Sequence, residues 1–162
     1  MQELSRWPGN NFPLKYSEYG STLFRISMAY LGNREDAEEV MQEAFYKLLC
    51  KQQEFCDEGH EKAWLIRVTV NLCKDMLRSV WHKRVVKMEE IEKYYDQSRD
   101  MDIMKEILRL PSKYKAVILL YYYEDYSVKQ ISEILKISDS ATKMRLQRGR
   151  QLLKLELEGE EI

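Results

Sequence analysis

The sequence predicts an all-α fold of two small helical domains joined by a charged linker. Apolar residues recur at helical spacing along most of the 162 residues. The chain has only 6 Gly and 3 Pro, too few to supply the turns of a many-stranded β fold. Its 44% hydrophobic and 33% charged residues are typical of a globular chain rather than a disordered one. We expect the first domain at 10–80, the linker at 81–104 and the second domain at 105–157.

The first domain begins with two helices separated by a short turn. Apolar spacing predicts a helix from Leu14 to Leu31, and Gly32 suits the left-handed position that ends it. Asn33 can then cap a second helix that runs to about Cys50. The predicted buried stripe of this helix is Ala37, Val40, Met41, Ala44 and Leu48, and its outer face carries Glu35, Glu38, Glu39, Gln42 and Glu43.

A third helix is predicted at about Glu61–Val80, after a polar loop at 51–60. It is apolar over most of its circumference. One narrow polar stripe follows the spacing i, i+4, i+7, i+8 and i+11, so its members share a face. That stripe consists of Arg67, Asn71, Lys74, Asp75 and Arg78.

The second domain contains a pattern typical of a helix-turn-helix. Ser127 to Gln130 has the form of a capping box, with a hydroxyl at the cap and Gln three residues later. Only Lys136, Ile137 and Ser138 separate this helix from the next, and Ser138 can cap again. Two capped helices joined by so tight a turn predict a DNA-binding motif between Ser127 and about Leu153.

The second helix of this motif has separate packing and outer faces. At 100° per residue, Thr142, Leu146, Gly149 and Leu153 fall on one stripe. Donors on the outer face suit base edges, and cations on the flanks suit phosphates. The outer face carries Ser140, Lys143, Met144, Gln147, Arg148 and Gln151, with Arg145 and Arg150 on the flanks.

Charge is distributed as a mosaic. The net charge of −1 does not indicate a nucleic-acid partner by itself. Residues 62–87, however, hold seven Lys or Arg against one Asp, and residues 139–154 hold five against one Asp. Residues 89–106 hold seven acids against three bases and separate these two basic patches.

Several classes of function are not supported. Cys56 and His60 form one potential metal pair, but the four ligands of a stable zinc site are not available, so we expect no metal and no cofactor. We find no phosphate-binding glycine loop and no nucleophile–base pair, so we expect no enzyme and no catalytic residue. No apolar run reaches the length of a membrane span and the N-terminus is unlike a secretory signal, so we expect a cytoplasmic protein.

Three sets of motifs resemble bacterial RNA polymerase sigma factors. LPSKYKAVILLYYYEDYS, QISEILKIS and TKMRLQRGRQLL resemble sigma region 4. LGNREDAEEVMQEAF resembles the polymerase-binding part of region 2, and AWLIRVTVNLCKDMLR resembles its reader of the promoter −10 element. Their order and spacing, over about residues 15–155, fit the extracytoplasmic-function group.

The resemblance implies partners and roles. The chain would bind core RNA polymerase, at the β′ clamp coiled coil and the β flap, and promoter DNA. Members of the group are commonly held by a membrane-linked anti-sigma factor, which adds such a factor to the expected partners. The implied clamp contacts are Asp36, Glu39, Gln42 and Glu43. The implied −10 contacts are Trp64, Arg67, Asn71, Lys74, Asp75 and Arg78, and the implied −35 contacts are Ser140, Lys143, Met144, Arg145, Gln147, Arg148 and Arg150.

Trp64 leaves two alternatives open. It can pack in the core, or it can work with the loop at 53–60 to hold an unstacked base where the DNA melts.

The chain also departs from the family pattern. The family usually has Gly where this turn has Lys136, so Lys136 is expected in a strained backbone conformation. It usually has Ala at Ser132 and Gly149, Thr at Ala141 and a small polar residue at Met144. Met144 cannot donate a hydrogen bond, although it could contact a thymine methyl group.

We therefore predict a sigma factor that binds DNA weakly alone. Docking of both halves on the polymerase would raise affinity roughly 10²–10⁴-fold by making each DNA contact intramolecular. An extended linker of roughly 70 Å could bridge promoter elements about two helical turns apart. The alternatives are a stand-alone helix-turn-helix regulator, against which the acidic face of the second helix argues, and a sigma-like interaction module without promoter activity.

Overall fold

The computed structural model describes residues 12–51, 55–79 and 99–160, and in that part of the chain it is all-α, which confirms the predicted fold class. Within these ranges the first half contributes three helices, and the second half contributes four. They are α1 (Phe12–Leu31), α2 (Arg34–Cys50), α3 (Glu58–Arg78), α4 (Arg99–Arg109), α5 (Ser112–Tyr122), α6 (Val128–Leu135) and α7 (Asp139–Glu160). No helix in these ranges is both long enough and apolar enough to cross a membrane.

The turn between α1 and α2 forms as its sequence predicts. Gly32 has a φ of 72°, the left-handed conformation that ends α1. The side chain of Asn33 accepts a hydrogen bond from the backbone N–H of Asp36 at 2.9 Å and so caps α2. The predicted apolar stripe of α2 is buried, and Phe45 adds to it.

Helix α3 begins earlier and ends earlier than predicted. Asp57 caps it by accepting from the backbone N–H of His60 at 2.7 Å, so the helix starts at Glu58, inside the predicted loop at 51–60. Glu61 is consequently buried, and its carboxylate accepts from Lys15 at 2.6 Å and from the Tyr19 hydroxyl at 3.1 Å. The helix ends at Arg78, before the predicted Val80.

Helix α4 begins at Arg99, within the segment predicted as linker. Apolar residues at helical spacing explain this, because Met104, Ile107 and Leu108 all pack into the core. Residues 81–98 of the predicted linker lie outside the described residues, as does Val80.

The two halves of the chain pack against each other. Helix α1 contacts α4 and α5, and α3 contacts α6. Lys115 of α5 is 1% exposed, and its ammonium donates to the carbonyl oxygen of Ala29 in α1 at 2.7 Å. The Tyr30 hydroxyl donates to the carbonyl oxygen of Ser112 at 3.2 Å. The sequence pattern did not predict this interface.

Candidate nucleic-acid interface

The helix-turn-helix is built from α6 and α7, and each helix begins at a side-chain cap. The capping box of α6 is complete: Gln130 N–H donates to Ser127 Oγ at 3.1 Å, and Ser127 N–H donates to Gln130 Oε1 at 2.9 Å. Ser138 Oγ accepts from the N–H of Ala141 at 3.0 Å at the start of α7. Local sequence therefore determines where both helices begin.

The turn between the two helices has the strained residue that was expected. Lys136 lies in the left-handed region with φ 55° and ψ 49°. Its N–H and that of Ile137 both reach the carbonyl oxygen of Ser132. Ile137 is half-buried and packs against the core, and this contact fixes the position of the turn.

Ser132, where the resemblance leads us to expect alanine, links the two helices directly. Its hydroxyl lies 2.6 Å from Asp139 Oδ1 at the start of α7 and 2.7 Å from the carbonyl oxygen of Lys129. Both neighbours are acceptors and the hydroxyl has one proton, so it donates to one of them at a time.

The packing stripe of α7 is as predicted. Thr142 is fully buried, Leu146 is 3% exposed, and Leu153 packs against the core. Gly149 is buried on Ile118 of α5, where a β-carbon would lie 2.9 Å from Cγ1. The close approach of α5 therefore favours glycine at this position, where the resemblance leads us to expect alanine.

The outer face of α7 is open to solvent. Met144 is 66% exposed. Arg150 also lies on the surface, where its guanidinium stacks over the rings of Tyr121 at 5.1 Å and Tyr122 at 5.6 Å. The exposed side chains of the predicted −35 set are Ser140, Lys143, Met144, Gln147, Arg148 and Arg150.

Arg145 differs from the rest of the predicted −35 set. It is half-buried, and its charge acts on Tyr30 and Lys74 of the first half. Burial and the nearby positive charge of Arg145 lower the pKa of Lys74 in α3, and Arg78 contributes less. Cations of the two predicted DNA surfaces thus lie close together.

The polar stripe of α3 is exposed at its C-terminal end. Asn71, Asp75 and Arg78 are exposed, and Arg78 donates to Asp75 Oδ1 at 2.9 Å. Arg67 and Lys74 are half-buried where the second half approaches.

Trp64 lies at the boundary between core and surface. Its half-buried ring is 5.7 Å from that of Phe55, and the Lys51 ammonium lies 4.5 Å above it. The ring of His60 meets Phe55 edge-on at 5.3 Å. The sequence pointed to the loop at 53–60 without singling out Phe55, the aromatic residue in that polar loop, and Lys51 was missed.

A cleft of about 580 Å³ separates α3 from α6. Trp64, Arg67 and His60 line its α3 side. Tyr126, Gln130 and Lys136 line the opposite side. Burial lowers the pKa of Lys51 next to this cleft, and the charges of Arg67 and Lys136 lower it further.

The acidic face of α2 is a separate surface. Glu39, Gln42 and Glu43 are exposed as predicted. Asp36 is half-buried and accepts from the Asn33 side chain at 2.9 Å, so it belongs partly to the helix cap. Tyr46, which is 57% exposed, was missed, although its spacing from Gln42 and Glu43 places it on the same face.

Sequence comparison supports both halves of the family resemblance. Residues 16–83 match the family model for Sigma-70 region 2, and residues 100–153 match the model for Sigma-70, region 4. The chain is 31% identical to RNA polymerase sigma factor SigZ of Bacillus subtilis (strain 168), over 75% of this chain and 73% of SigZ. It is 27% identical to RNA polymerase sigma factor SigV of the same strain, over 90% of both chains.

Two solved structures share the fold of this chain. One is CnrH in complex with the cytosolic domain of CnrY, with a TM-score of 0.73, 19% identity, and coverage of 98% of this chain and 94% of that one. Another is the sigma factor RpoE with the anti-sigma factor NepR from Bartonella quintana, with a TM-score of 0.71, 18% identity, and coverage of 91% and 97%. At these identities the likeness shows the fold alone.

Proposed function

The chain belongs to the extracytoplasmic-function group of RNA polymerase sigma factors, and we propose that three separate surfaces carry out its role in promoter-specific transcription initiation. The outer face of α7 provides the strongest support for this proposal. Its polar side chains are exposed, while the residues that hold the helix in place lie on a different stripe. A helix with that arrangement can enter a major groove without loss of packing.

The acidic face of α2 is the surface that docks on core polymerase. Glu39, Gln42 and Glu43 project from one side of a rigid, well-capped helix. We assign this face to the β′ clamp coiled coil, with Tyr46 as an apolar neighbour, and we assign the second half of the chain to the β flap. Carboxylates around an exposed aromatic residue suit a basic, partly apolar partner.

The two DNA surfaces read different promoter elements. On α7, Arg148 and Gln147 suit guanine and adenine, and Met144 suits a thymine methyl group. On α3, the exposed end of the polar stripe and the aromatic cluster around Trp64 suit a melted −10 element, because aromatic rings stack on unpaired bases. Neither surface is large, so both must act together on the polymerase.

The remaining expectations belong to the same proposal. Sigma factors are non-enzymatic initiation factors, and we propose that this chain likewise catalyses no reaction. We place it in the cytoplasm with the polymerase. An anti-sigma factor is a further proposed partner, by analogy with the solved complex of RpoE with the anti-sigma factor NepR.

A transcription assay tests the function. Purified protein is mixed with core polymerase and a promoter library, and the transcripts are sequenced. We expect start sites that core polymerase alone does not use. The absence of both polymerase binding and new start sites would contradict the proposal.

Three variants separate the surfaces. Glu39→Lys combined with Gln42→Lys should abolish co-purification with core polymerase. Glu18→Lys is the matched control, because it reverses an exposed charge on α1 outside the acidic face. Arg148→Ala should leave polymerase binding intact and weaken −35 recognition by about 1–3 kcal/mol.

A further inference from the structure

The last turn of α5 carries two tyrosines that hold a cation of α7. Ile118 of α5 packs on Gly149 of α7. Tyr122 lies one helical turn later, and there its side chain meets Arg150. The guanidinium Nε of Arg150 donates a hydrogen bond to the hydroxyl oxygen of Tyr122. A second helix therefore fixes this side chain at the edge of the outer face of α7.

Stacking fixes the plane of the same guanidinium. Its central carbon lies 5.1 Å from the centroid of the Tyr121 ring and 5.6 Å from that of Tyr122. The two rings meet nearly edge-on, with centroids 5.1 Å apart and planes at 75°. Arginine suits this place because its planar cation stacks on aromatic faces and still donates from its edges.

The outer end of the guanidinium is left to donate. Arginine has five N–H donors, and the hydrogen bond to Tyr122 uses the one on Nε. Neither Nη group of Arg150 has a hydrogen bond or an ion pair within the described part of the chain. Arg150 is exposed, so both Nη groups can donate together to two oxygens of one phosphate.

Arg148 offers a contrast on the same face of α7. Its one hydrogen bond among the described residues stays within α7 and is long, at 3.5 Å from Nη1 to Gln151 Oε1. A side chain that reads base edges meets a different pattern at each base pair, whereas every duplex carries the same phosphates. The support from α5 thus lies under the cation best placed for the DNA backbone.

Resting on the function proposed above, we propose that Tyr122 is a positioning residue for DNA binding. Together with Tyr121 it holds Arg150 ready to bind one backbone phosphate beside the −35 element. Because the side chain is ordered before DNA arrives, less rotamer freedom is lost on binding. The contact is made to a phosphate, so it adds affinity without reading sequence.

NMR of arginine Nε–H groups tests the positioning in the free, isotope-labelled chain. The signal of Arg150 is assigned by its loss in Arg150→Lys. We expect this Nε–H to be as rigid as the backbone and to exchange slowly with water. Tyr122→Phe keeps the ring and removes the hydroxyl, so the group should become mobile.

Tyr114→Phe is the matched control, because it makes the same change at the other end of α5, where the ring lies under Lys113. It should leave the Arg150 signal unchanged. An Arg150 Nε–H that is mobile in the wild-type chain, or that does not respond to Tyr122→Phe, would overturn the proposal.

A short DNA duplex of arbitrary sequence tests the phosphate contact in the same free chain. Phosphate contacts do not depend on base sequence, and they are strong at low salt. We expect the Arg150 signal to shift during the titration, and Tyr122→Phe to require about threefold more duplex for the same shift. An Arg150 signal that does not shift would overturn the contact.

A double-mutant cycle on the polymerase-bound chain tests whether Tyr122 acts through Arg150. The affinity for a promoter selected in the transcription assay should fall about tenfold for Arg150→Ala and about threefold for Tyr122→Phe. In the Arg150→Ala background, Tyr122→Phe should have no further effect. A loss of equal size in both backgrounds would mean that Tyr122 acts by itself, and the proposal would be wrong.

Salt and sequence dependence separate a phosphate contact from base reading. Arg150→Ala should reduce the slope of log affinity against log salt by about 1, because one phosphate is no longer neutralised. The loss should be the same on a promoter whose −35 element is scrambled, whereas Arg148→Ala should relax the sequence preference. An unchanged slope for Arg150→Ala would contradict the phosphate contact.

The outcomes distinguish this proposal from the function. If the chain neither binds polymerase nor selects a promoter, the proposed function fails, while NMR of the free chain and its titration with duplex still decide whether Tyr122 positions Arg150 for a phosphate. If promoters are used but Tyr122→Phe changes neither the Arg150 signal nor the affinity, the positioning is wrong and the function stands.

Discussion

Gly149 of α7 packs directly on Ile118 of α5, so that a β-carbon at position 149 would lie 2.9 Å from Ile118 Cγ1 and 3.0 Å from Cδ1. This contact sets the distance between the recognition helix and the helix that supports it. Glycine is otherwise a poor helix residue, by about 1 kcal/mol relative to alanine.

Gly149→Ala should destabilise the protein by about 1–3 kcal/mol, because the overlap with Ile118 outweighs the gain in helix propensity. Urea unfolding followed by circular dichroism measures the change. Gly20→Ala, in α1, is the matched control: its β-carbon would meet Met41 at an ordinary 3.7 Å, so we expect stabilisation of about 0.5–1 kcal/mol. In an Ile118→Ala background, Gly149→Ala should destabilise the protein much less, because the overlapping side chain has been removed.

Ser132→Ala should cost about 1 kcal/mol, even though alanine is usual in the family at this position. The substitution removes the hydroxyl whose one proton is shared between Asp139 Oδ1 across the turn and the carbonyl oxygen of Lys129. The midpoint of urea unfolding measures the change. Asp139→Asn, which keeps an acceptor at that place, should destabilise the protein less than Ser132→Ala does. An unchanged midpoint for Ser132→Ala would show that the hydrogen bond contributes nothing to stability.

Lys136→Gly should stabilise the protein by about 1 kcal/mol, because glycine adopts a φ of 55° without the strain that a β-carbon imposes. Lys129→Gly, within α6, should instead destabilise the protein by a similar amount. Thermal unfolding of the two variants against wild type provides the measurement. Equal destabilisation by both would contradict strain at Lys136.

The three thiols should react in order of their exposure. Cys56 is exposed, Cys50 is half-buried and Cys73 is buried, and burial raises the pKa of the Cys73 thiol to about 12. At pH 8 we expect an alkylating reagent to label Cys56 first, Cys50 more slowly and Cys73 only in urea, as mapped by mass spectrometry. Rapid labelling of Cys73 in the native protein would contradict its place in the core.

Stability should fall at alkaline pH. Burial, together with the charge of Glu61 and its hydrogen bond to the phenol, raises the pKa of Tyr19 above its ordinary value of 10.0. The folded state therefore keeps a proton that the unfolded state releases, and stability that is complete below pH 10 declines as the pH rises further. Urea midpoints between pH 8 and pH 11 measure this, and Tyr19→Phe should show a shallower decline than wild type.

Local signals in the sequence account for most of the helix-turn-helix and for α2. Caps at Asn33, Ser127 and Ser138 act within one turn of the chain, so residue type and spacing suffice to place them. Asp57 is the same kind of signal, but it stood in a polar stretch that was interpreted as loop.

The interface between the halves could not be read from the sequence in the same way. Lys115 carries a charge that ordinarily indicates the surface, yet it is buried because Ala29 offers a carbonyl oxygen from a helix 86 residues earlier in the chain. Trp64 and Arg67 were assigned to DNA by the family resemblance, and helix periodicity supported Arg67 alone. Periodicity defines a face but does not say which other helix lies opposite it.

The division of α7 into two faces has a consequence for how such proteins diverge. Selection can exchange Lys143, Met144, Gln147 and Arg148 without disturbing Thr142, Leu146 or Gly149, because the first group has no packing role and the second has no access to bases. A duplicated copy of the gene could therefore acquire a new set of target promoters in a few substitutions, while its fold and its surface for polymerase are inherited unchanged.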